Sequence, residues 1–177
     1  NVVKDAEVSF NMFGTYTVRK AKIYFRENLF PPLNNRTDNT GTFVFNDLPD
    51  THYGFFSVIK EGYAAGRKLI MDMRGNEEVL ILKSEGRIKG RITYNDTGKP
   101  AKNLMVGAEQ EWQRYMELRA TTDTNGYYEF TNVPAGNFTL YLIYDEEFPE
   151  WTMMKKENII VKEGKTVQGV DLTLIKG

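Results

Sequence analysis

The chain has 177 residues, of which 41% are hydrophobic and 13% aromatic, with 23 basic residues against 24 acidic ones. That apolar content excludes a disordered segment, and a formal net charge of -1 argues against a nucleic-acid binder, which needs a basic excess. Cysteine is absent, so disulfides, thiol catalysis and zinc-thiolate sites are excluded.

One histidine, His52, and three serines, Ser9, Ser57 and Ser84, leave a Ser-His-Asp relay conceivable only around His52. They also leave no metal site that needs several imidazoles. The longest apolar runs, Val79 to Leu82 and Leu140 to Tyr144, fall far short of the roughly 20 residues that span a bilayer as a helix. Asn1 is neither an initiator methionine nor part of a charged-then-apolar leader, which suggests a processed or excised chain.

Taken in chain order, the first strong signal is Thr37-Asp38-Asn39-Thr40-Gly41-Thr42-Phe43-Val44-Phe45, followed by Leu48-Pro49. The same unit returns 85 residues on as Thr122-Asp123-Thr124-Asn125-Gly126-Tyr127-Tyr128-Glu129-Phe130, followed by Val133-Pro134. The aspartate caps the backbone of a type I turn, the glycine takes the positive φ that leads onward, and the arrangement predicts a hairpin. Proline then ends each strand because it has no N–H to donate.

Downstream, Tyr53, Phe55 and Ile59 align with Phe138, Leu140 and Tyr144 as the apolar face of the next strand. Arg74-Gly75-Asn76 and Glu163-Gly164-Lys165 each precede a last apolar strand. A strand ending at Lys83 meets one that starts at Arg87, where Ile88, Gly90, Ile92 and Tyr94 alternate with Arg87, Lys89, Arg91 and Thr93. Val170, Leu172 and Leu174 alternate with Asp171 and Thr173, predicting a C-terminal strand in an antiparallel sheet with one wet face. No stretch carries a helical stripe. The chain therefore reads as all-β, two tandem antiparallel β-sandwiches over residues 1–84 and 85–177, joined near Leu82 to Arg87.

Repeat two carries Gly90-Arg91-Ile92, Gly98-Lys99-Pro100, Thr121 to Phe130 and Pro134-Ala135-Gly136. This resembles the carboxypeptidase regulatory-like domains, which are transthyretin-like (prealbumin-like) β-sandwiches. Repeat one is more divergent: it keeps Thr37 to Phe45 and Gly62-Tyr63, but Pro49-Asp50-Thr51 lacks the family glycine and the turn near Gly14-Thr15-Tyr16 lacks the proline. The resemblance implies an immunoglobulin-like sandwich serving as an accessory or linker domain of a larger secreted or surface protein. It implies no catalytic site, since the zinc domain that names the family is absent. The collagen-adhesin B-type repeat of Gram-positive surface proteins also resembles this fold and carries a Lys-to-Asn isopeptide bond. That bond needs an acidic residue on a core strand. The expected inward positions, Phe55, Ile59, Leu140, Leu142 and Tyr144, are apolar, so no such crosslink is expected.

Trp112, Tyr115 and Trp151 lie in the segments of repeat two that look longest, Glu109 to Arg119 and Asp145 to Glu157. Flat rings on loops suit sugar stacking, and equally they cap a core or meet a neighbouring domain. Asp145, Glu146, Glu147 and Glu150 form an oxygen-rich loop, but the spacing lacks the alternation and glycine of a calcium loop, so a solvated acidic loop is expected and no metal. Asp47, Asp50 and His52 could compose an acid-base group, although a lone histidine beside a turn is more often a surface residue. Asn35, Asn95 and Asn137 begin formal glycosylation sequons.

Three function classes follow. The first is a non-catalytic structural or adhesion module of a secreted or cell-surface protein, with other domains of its parent or surface proteins as partners. The second is a carbohydrate-binding accessory module built on Trp112, Tyr115 and Trp151. The third is an enzyme working from Asp, Glu and Tyr alone, which no residue pattern marks. No catalytic residue, metal, cofactor, nucleic-acid partner or membrane span is expected.

Overall fold

The computed structural model describes residues 1–14, 33–46, 53–71, 77–111, 117–143, 151–153 and 155–176. Among these there is no helix, and so none long and apolar enough to cross a membrane. The chain is all-β and divides into two compact units, Asn1–Leu82 and Lys83–Gly177.

Unit 1 contains β1 (Glu7–Gly14), β2 (Leu33–Arg36), β3 (Tyr53–Ile59) and β4 (Gly66–Met71) in one antiparallel sheet of order β2-β1-β3-β4. Among the described residues its core cluster is Ala6, Val8, Phe10, Phe56, Val58 and Ile70, packed against Phe43, Phe45, Leu80 and Leu82. Tilted aromatic pairs knit this core, with ring centroids 4.7 Å apart for Phe10 and Phe56 and 5.8 Å for Phe45 and Phe56.

Unit 2 is a two-sheet sandwich. One sheet contains β5 (Gly86–Tyr94), β8 (Tyr127–Val133), β10 (Trp151–Met153), β12 (Thr166–Val167) and β13 (Leu172–Lys176). The other has β6 (Met105–Gln110), β7 (Glu117–Thr121), β9 (Gly136–Leu142) and β11 (Lys156–Val161), in the order β11-β9-β6-β7. Strict alternation in β5 puts Gly86, Ile88, Gly90 and Ile92 inside, and β8 does the same with Tyr128 and Phe130. With Val106, Phe138, Leu140 and Leu174 these fill the space between the sheets; each large apolar side chain so buried contributes about 1.5–3 kcal/mol.

The Asp-x-x-Gly turn forms twice with the same bonds. Asp38 Oδ1 accepts from the backbone N–H of Thr40 (2.8 Å) and Thr42 (3.0 Å), and Asp123 Oδ1 accepts from those of Asn125 and Tyr127 (both 2.8 Å). The glycines take φ of +75° at Gly41 and +78° at Gly126, a region in which other residues are strained. The expected hairpin is a different object, however. β7 belongs to one sheet and β8 to the other, so the turn carries the chain across the sandwich instead of closing a hydrogen-bonded pair.

Two further expectations are corrected. The C-terminal strand runs parallel to β5, Leu172 opposite Ile92, and is antiparallel only to the short β10. The sheet is mixed because β13 returns to the first strand of its own unit. Residues 77–82 are assigned to no strand, although Leu80 and Leu82 reach the core as the alternation requires.

The inward face of β3 is the opposite of the one expected. Phe56 and Val58 are buried, whereas Ile59 is 53% exposed. In register, Val8 opposes Val58 and Phe10 opposes Phe56, as Val106 opposes Leu142 and Ala108 opposes Leu140. Phe56 therefore answers Leu140, one place away from the fixed offset. Repeat one has one extra residue between its turn and this strand, and one residue reverses every side chain of a strand. In repeat two Leu140 is buried and Leu142 partly buried, as expected; Tyr144 lies outside the described residues. Among the described residues the buried polar side chains are Thr37 and Thr122.

Candidate functional site

Thr37 and Thr122, the residues that open the repeated motif, act on the backbone. Thr122 Oγ1 accepts the Leu104 N–H at 2.9 Å. Thr37 Oγ1 accepts the Ala6 N–H at 2.9 Å and donates to the Val3 carbonyl at 2.7 Å. Backbone bonds repeat alongside: Asp5 donates to the Thr37 carbonyl and Thr37 to that of Ala6, as Asn103 donates to Thr122 and Thr122 to Leu104. Asp5 and Asn103 both have positive φ, 54° and 58°. The motif is thus a corner that ties the start of an inner strand to the crossing turn, and its polar atoms are spent on that.

The loop candidates divide as follows. Trp112 and Tyr115 lie outside the described residues, as do Asp145, Glu146, Glu147, Glu150, Asp47, Asp50 and His52. Trp151 begins β10, its backbone paired with Lys176. Strand direction separates the two tryptophan segments. β6 starts with Met105 opposite Thr121 and reaches Gln110 opposite Phe138 about 17 Å further on. The connection that holds Trp112 and Tyr115 leaves at that far end, between Glu111 and Glu117. Trp151, beyond the Leu174 to Tyr94 pair, sits at the end where β5 hands over to β6.

At the Gln110 end the structure assembles a polar group that the sequence reading missed. The Asn137 side-chain amide donates to Glu111 Oε2 (2.9 Å) and to Asn158 Oδ1 (3.4 Å), and the Glu111 N–H donates to the Asn137 carbonyl (2.9 Å). Gln110 Nε2 donates to the Ala135 carbonyl at 3.3 Å. Gln110 Oε1 and Asn137 Oδ1 are buried and have no hydrogen-bond partner among the described residues, a cost that an added donor would relieve. Three side-chain amides, a carboxylate and two unpaired acceptors can bind hydroxyl groups. The sequence signal was the polar end of an otherwise apolar β6; three of the four residues come from strands far apart in sequence.

A shallow groove elsewhere in unit 2 is lined by Lys89, Thr121, Asp123, Tyr127, Glu129 and Asp171. Its charges are already engaged. Glu129 meets Arg87 at 2.8 Å and Lys89 at 3.1 Å, and the hydrogen bond from Arg87 holds its carboxyl below the usual range while raising the guanidinium. Asp171 accepts the Arg91 N–H at 2.9 Å, and the Arg91 guanidinium lies 5.2 Å from the Tyr127 ring centre. The Tyr128 hydroxyl donates to the Val170 carbonyl, and burial pushes that phenol well above its ordinary pKa. Among the described residues, no group of three His, Cys, Asp or Glu is placed to hold a metal ion.

Residues 85–169 match the family model of polysaccharide lyase family 4, domain II. No curated protein sequence matches the chain. Among solved structures, it is similar to a minor pilin of the Gram-positive pathogen Streptococcus agalactiae, with 14% identity over 100% of this chain and 85% of that one, at a TM-score of 0.43. It is also similar to the shaft pilin SpaA of Lactobacillus rhamnosus GG, with 8% identity, 99% and 86% coverage and a TM-score of 0.44. The Bacillus anthracis TIE protein is 20% identical over 99% of this chain and 31% of its own length, with a TM-score of 0.42. Likenesses this distant carry nothing about function.

Proposed function

We propose that the chain is a non-catalytic structural or adhesion module, made of two carboxypeptidase regulatory-like domains over residues 1–84 and 85–177, in a larger secreted or cell-surface protein whose other domains or surface neighbours are its partners. One observation carries this reading: the first and last strands of unit 2, β5 and β13, are parallel neighbours. Tension applied at the two ends of the unit pulls these strands in opposite directions along their length, so their cross-strand bonds are loaded together and not one at a time. Such a pairing resists extension, which is what a segment of a surface protein must do. Force spectroscopy on the full chain tests it. Unit 2 is expected to give a resolved unfolding peak that weakens in Thr93→Pro, which removes an N–H on the side of β5 that faces β13, where those of Arg91 and Asn95 also point. Extension of unit 2 without a peak overturns the reading.

A second reading, a carbohydrate-binding accessory module, is favoured by the family-model match over residues 85–169 and by the hydroxyl-binding chemistry of Gln110, Glu111, Asn137 and Asn158. In this reading Trp112, Tyr115 and Trp151 supply the stacking surface. An aromatic platform is worth on the order of 1–3 kcal/mol per stacked ring, by analogy with bases. A glycan array comparing wild type with Trp112→Ala, Trp151→Ala and Asn137→Ala decides it. Loss with Trp112→Ala and Asn137→Ala together supports the site, and binding indifferent to all three removes it.

A further inference from the structure

The sheet of unit 2 built around β5 contains an irregularity that neither functional reading uses. β12 and β13 follow one another along the same side of β5, with Val167 opposite Ile88 and Leu172 opposite Ile92. Between those two pairs, the four residues 168–171 face the three residues 89–91. One residue is in excess, which makes a bulge in a parallel pair, a setting where bulges are rare.

Particular residues hold that bulge in place. Gly169 takes a φ of +71°, and the Val170 N–H donates to the Lys89 carbonyl at 3.1 Å. A regular parallel ladder would next offer the Val170 carbonyl to the Arg91 N–H. Instead that carbonyl accepts from the Tyr128 hydroxyl, and the Arg91 N–H goes to Asp171 Oδ1 at 2.9 Å. A Cβ on Gly90 would overlap the Val170 carbonyl, so the close approach requires glycine there. The displaced residues Gln168, Gly169 and Asp171, together with Lys89, Tyr127 and Glu129, line the groove described above, whose volume is about 850 Å³.

We propose that this groove binds a neutral saccharide, with the Tyr127 ring as its platform. Tyr127 is 55% exposed, and the Arg91 guanidinium 5.2 Å from its ring centre braces it on the sheet. A flat ring suits the apolar C–H face of a pyranose. The polar groups that share the groove differ in kind: the carboxylates of Asp123 and Asp171 accept, while the Lys89 ammonium and the Gln168 amide donate. Adjacent sugar hydroxyls need both. Charge then selects a neutral ligand. The cations Arg87, Lys89 and Arg91 are matched by the carboxylates Asp123, Glu129 and Asp171, with Glu129 paired to Arg87 at 2.8 Å and to Lys89 at 3.1 Å, so an acidic sugar finds no surplus cation. The inference has a ligand class in common with the carbohydrate reading above but uses none of its residues.

The test is amide NMR of the full chain, titrated to millimolar concentration with neutral gluco-, manno- and xylo-tetrasaccharides and with tetragalacturonate. At least one neutral probe is expected to shift the amides of Tyr127, Gln168, Gly169 and Asp171, with tetragalacturonate at least tenfold weaker. Tyr127→Ala should weaken that probe about tenfold or more, the worth of one stacked ring, whereas Tyr127→Phe keeps the ring and should stay within about threefold of wild type. Unshifted amides elsewhere in unit 2 report that both variants are folded. Trp112→Ala and Asn137→Ala should leave the response of these four amides unchanged. The proposal is overturned if no neutral probe moves them, if Tyr127→Ala binds like wild type, or if tetragalacturonate binds as tightly. Binding lost in Trp112→Ala and Asn137→Ala but kept in Tyr127→Ala overturns it too, and leaves the carbohydrate reading at Gln110 and Asn137 standing.

Discussion

Replacing Thr122 by valine tests the corner that builds both units. Valine has nearly the same shape, so the 2% exposed side chain keeps its packing while the Leu104 N–H loses the oxygen that receives it at 2.9 Å. Leu104 is itself buried, so the orphaned donor costs its desolvation, about 1–3 kcal/mol. For a unit of this size each kcal/mol moves the melting temperature by roughly 4–8 °C, so unit 2 should melt about 10 °C lower. Thr122→Ser keeps the hydroxyl and loses a methyl group, which is worth about 1 kcal/mol. Calorimetry of the full chain reads both. A valine variant melting at or above the serine variant would falsify the assignment of the stability to the hydroxyl.

Three other outcomes follow from the same geometry. Gly126→Ala should destabilise unit 2 more than Gly41→Ala destabilises unit 1, by 1 kcal/mol or more from the sub-3 Å approach to Ile92 O, measured as the shift of each calorimetric transition; equal losses would contradict it. Phe56→Ala should cost about 3–5 kcal/mol and Phe55→Ala much less, because Phe56 is buried and Phe55 only half-buried; urea titration distinguishes them, and the reverse order would restore the face expected from sequence. Hydrogen bonds from Thr40 and Thr42 lower the Asp38 pKa, so its contribution is present above the unfolded carboxylate range and is lost as pH falls through the lowered value. The urea midpoint of unit 1 should therefore drop below about pH 4, and Asp38→Asn should flatten that drop.

What the sequence determined by itself was everything local. Alternation named the inner residues of β5 and β8, and Thr-Asp-x-x-Gly named its own turn, because an aspartate oxygen satisfying two N–H groups and a glycine at positive φ need only five consecutive residues. Only the tertiary structure decided matters that depend on partners distant in the chain. β13 chose a parallel neighbour, Leu172 beside Ile92, from 80 positions away. The turn crossed between sheets because β7 and β8 each found a better ladder elsewhere. The face of β3 followed its register against β1, which one extra residue shifted without altering the residue types that a pattern reads. Likewise the polar group of Gln110, Glu111, Asn137 and Asn158 exists only where three strands end together, a convergence that spacing along the chain does not encode.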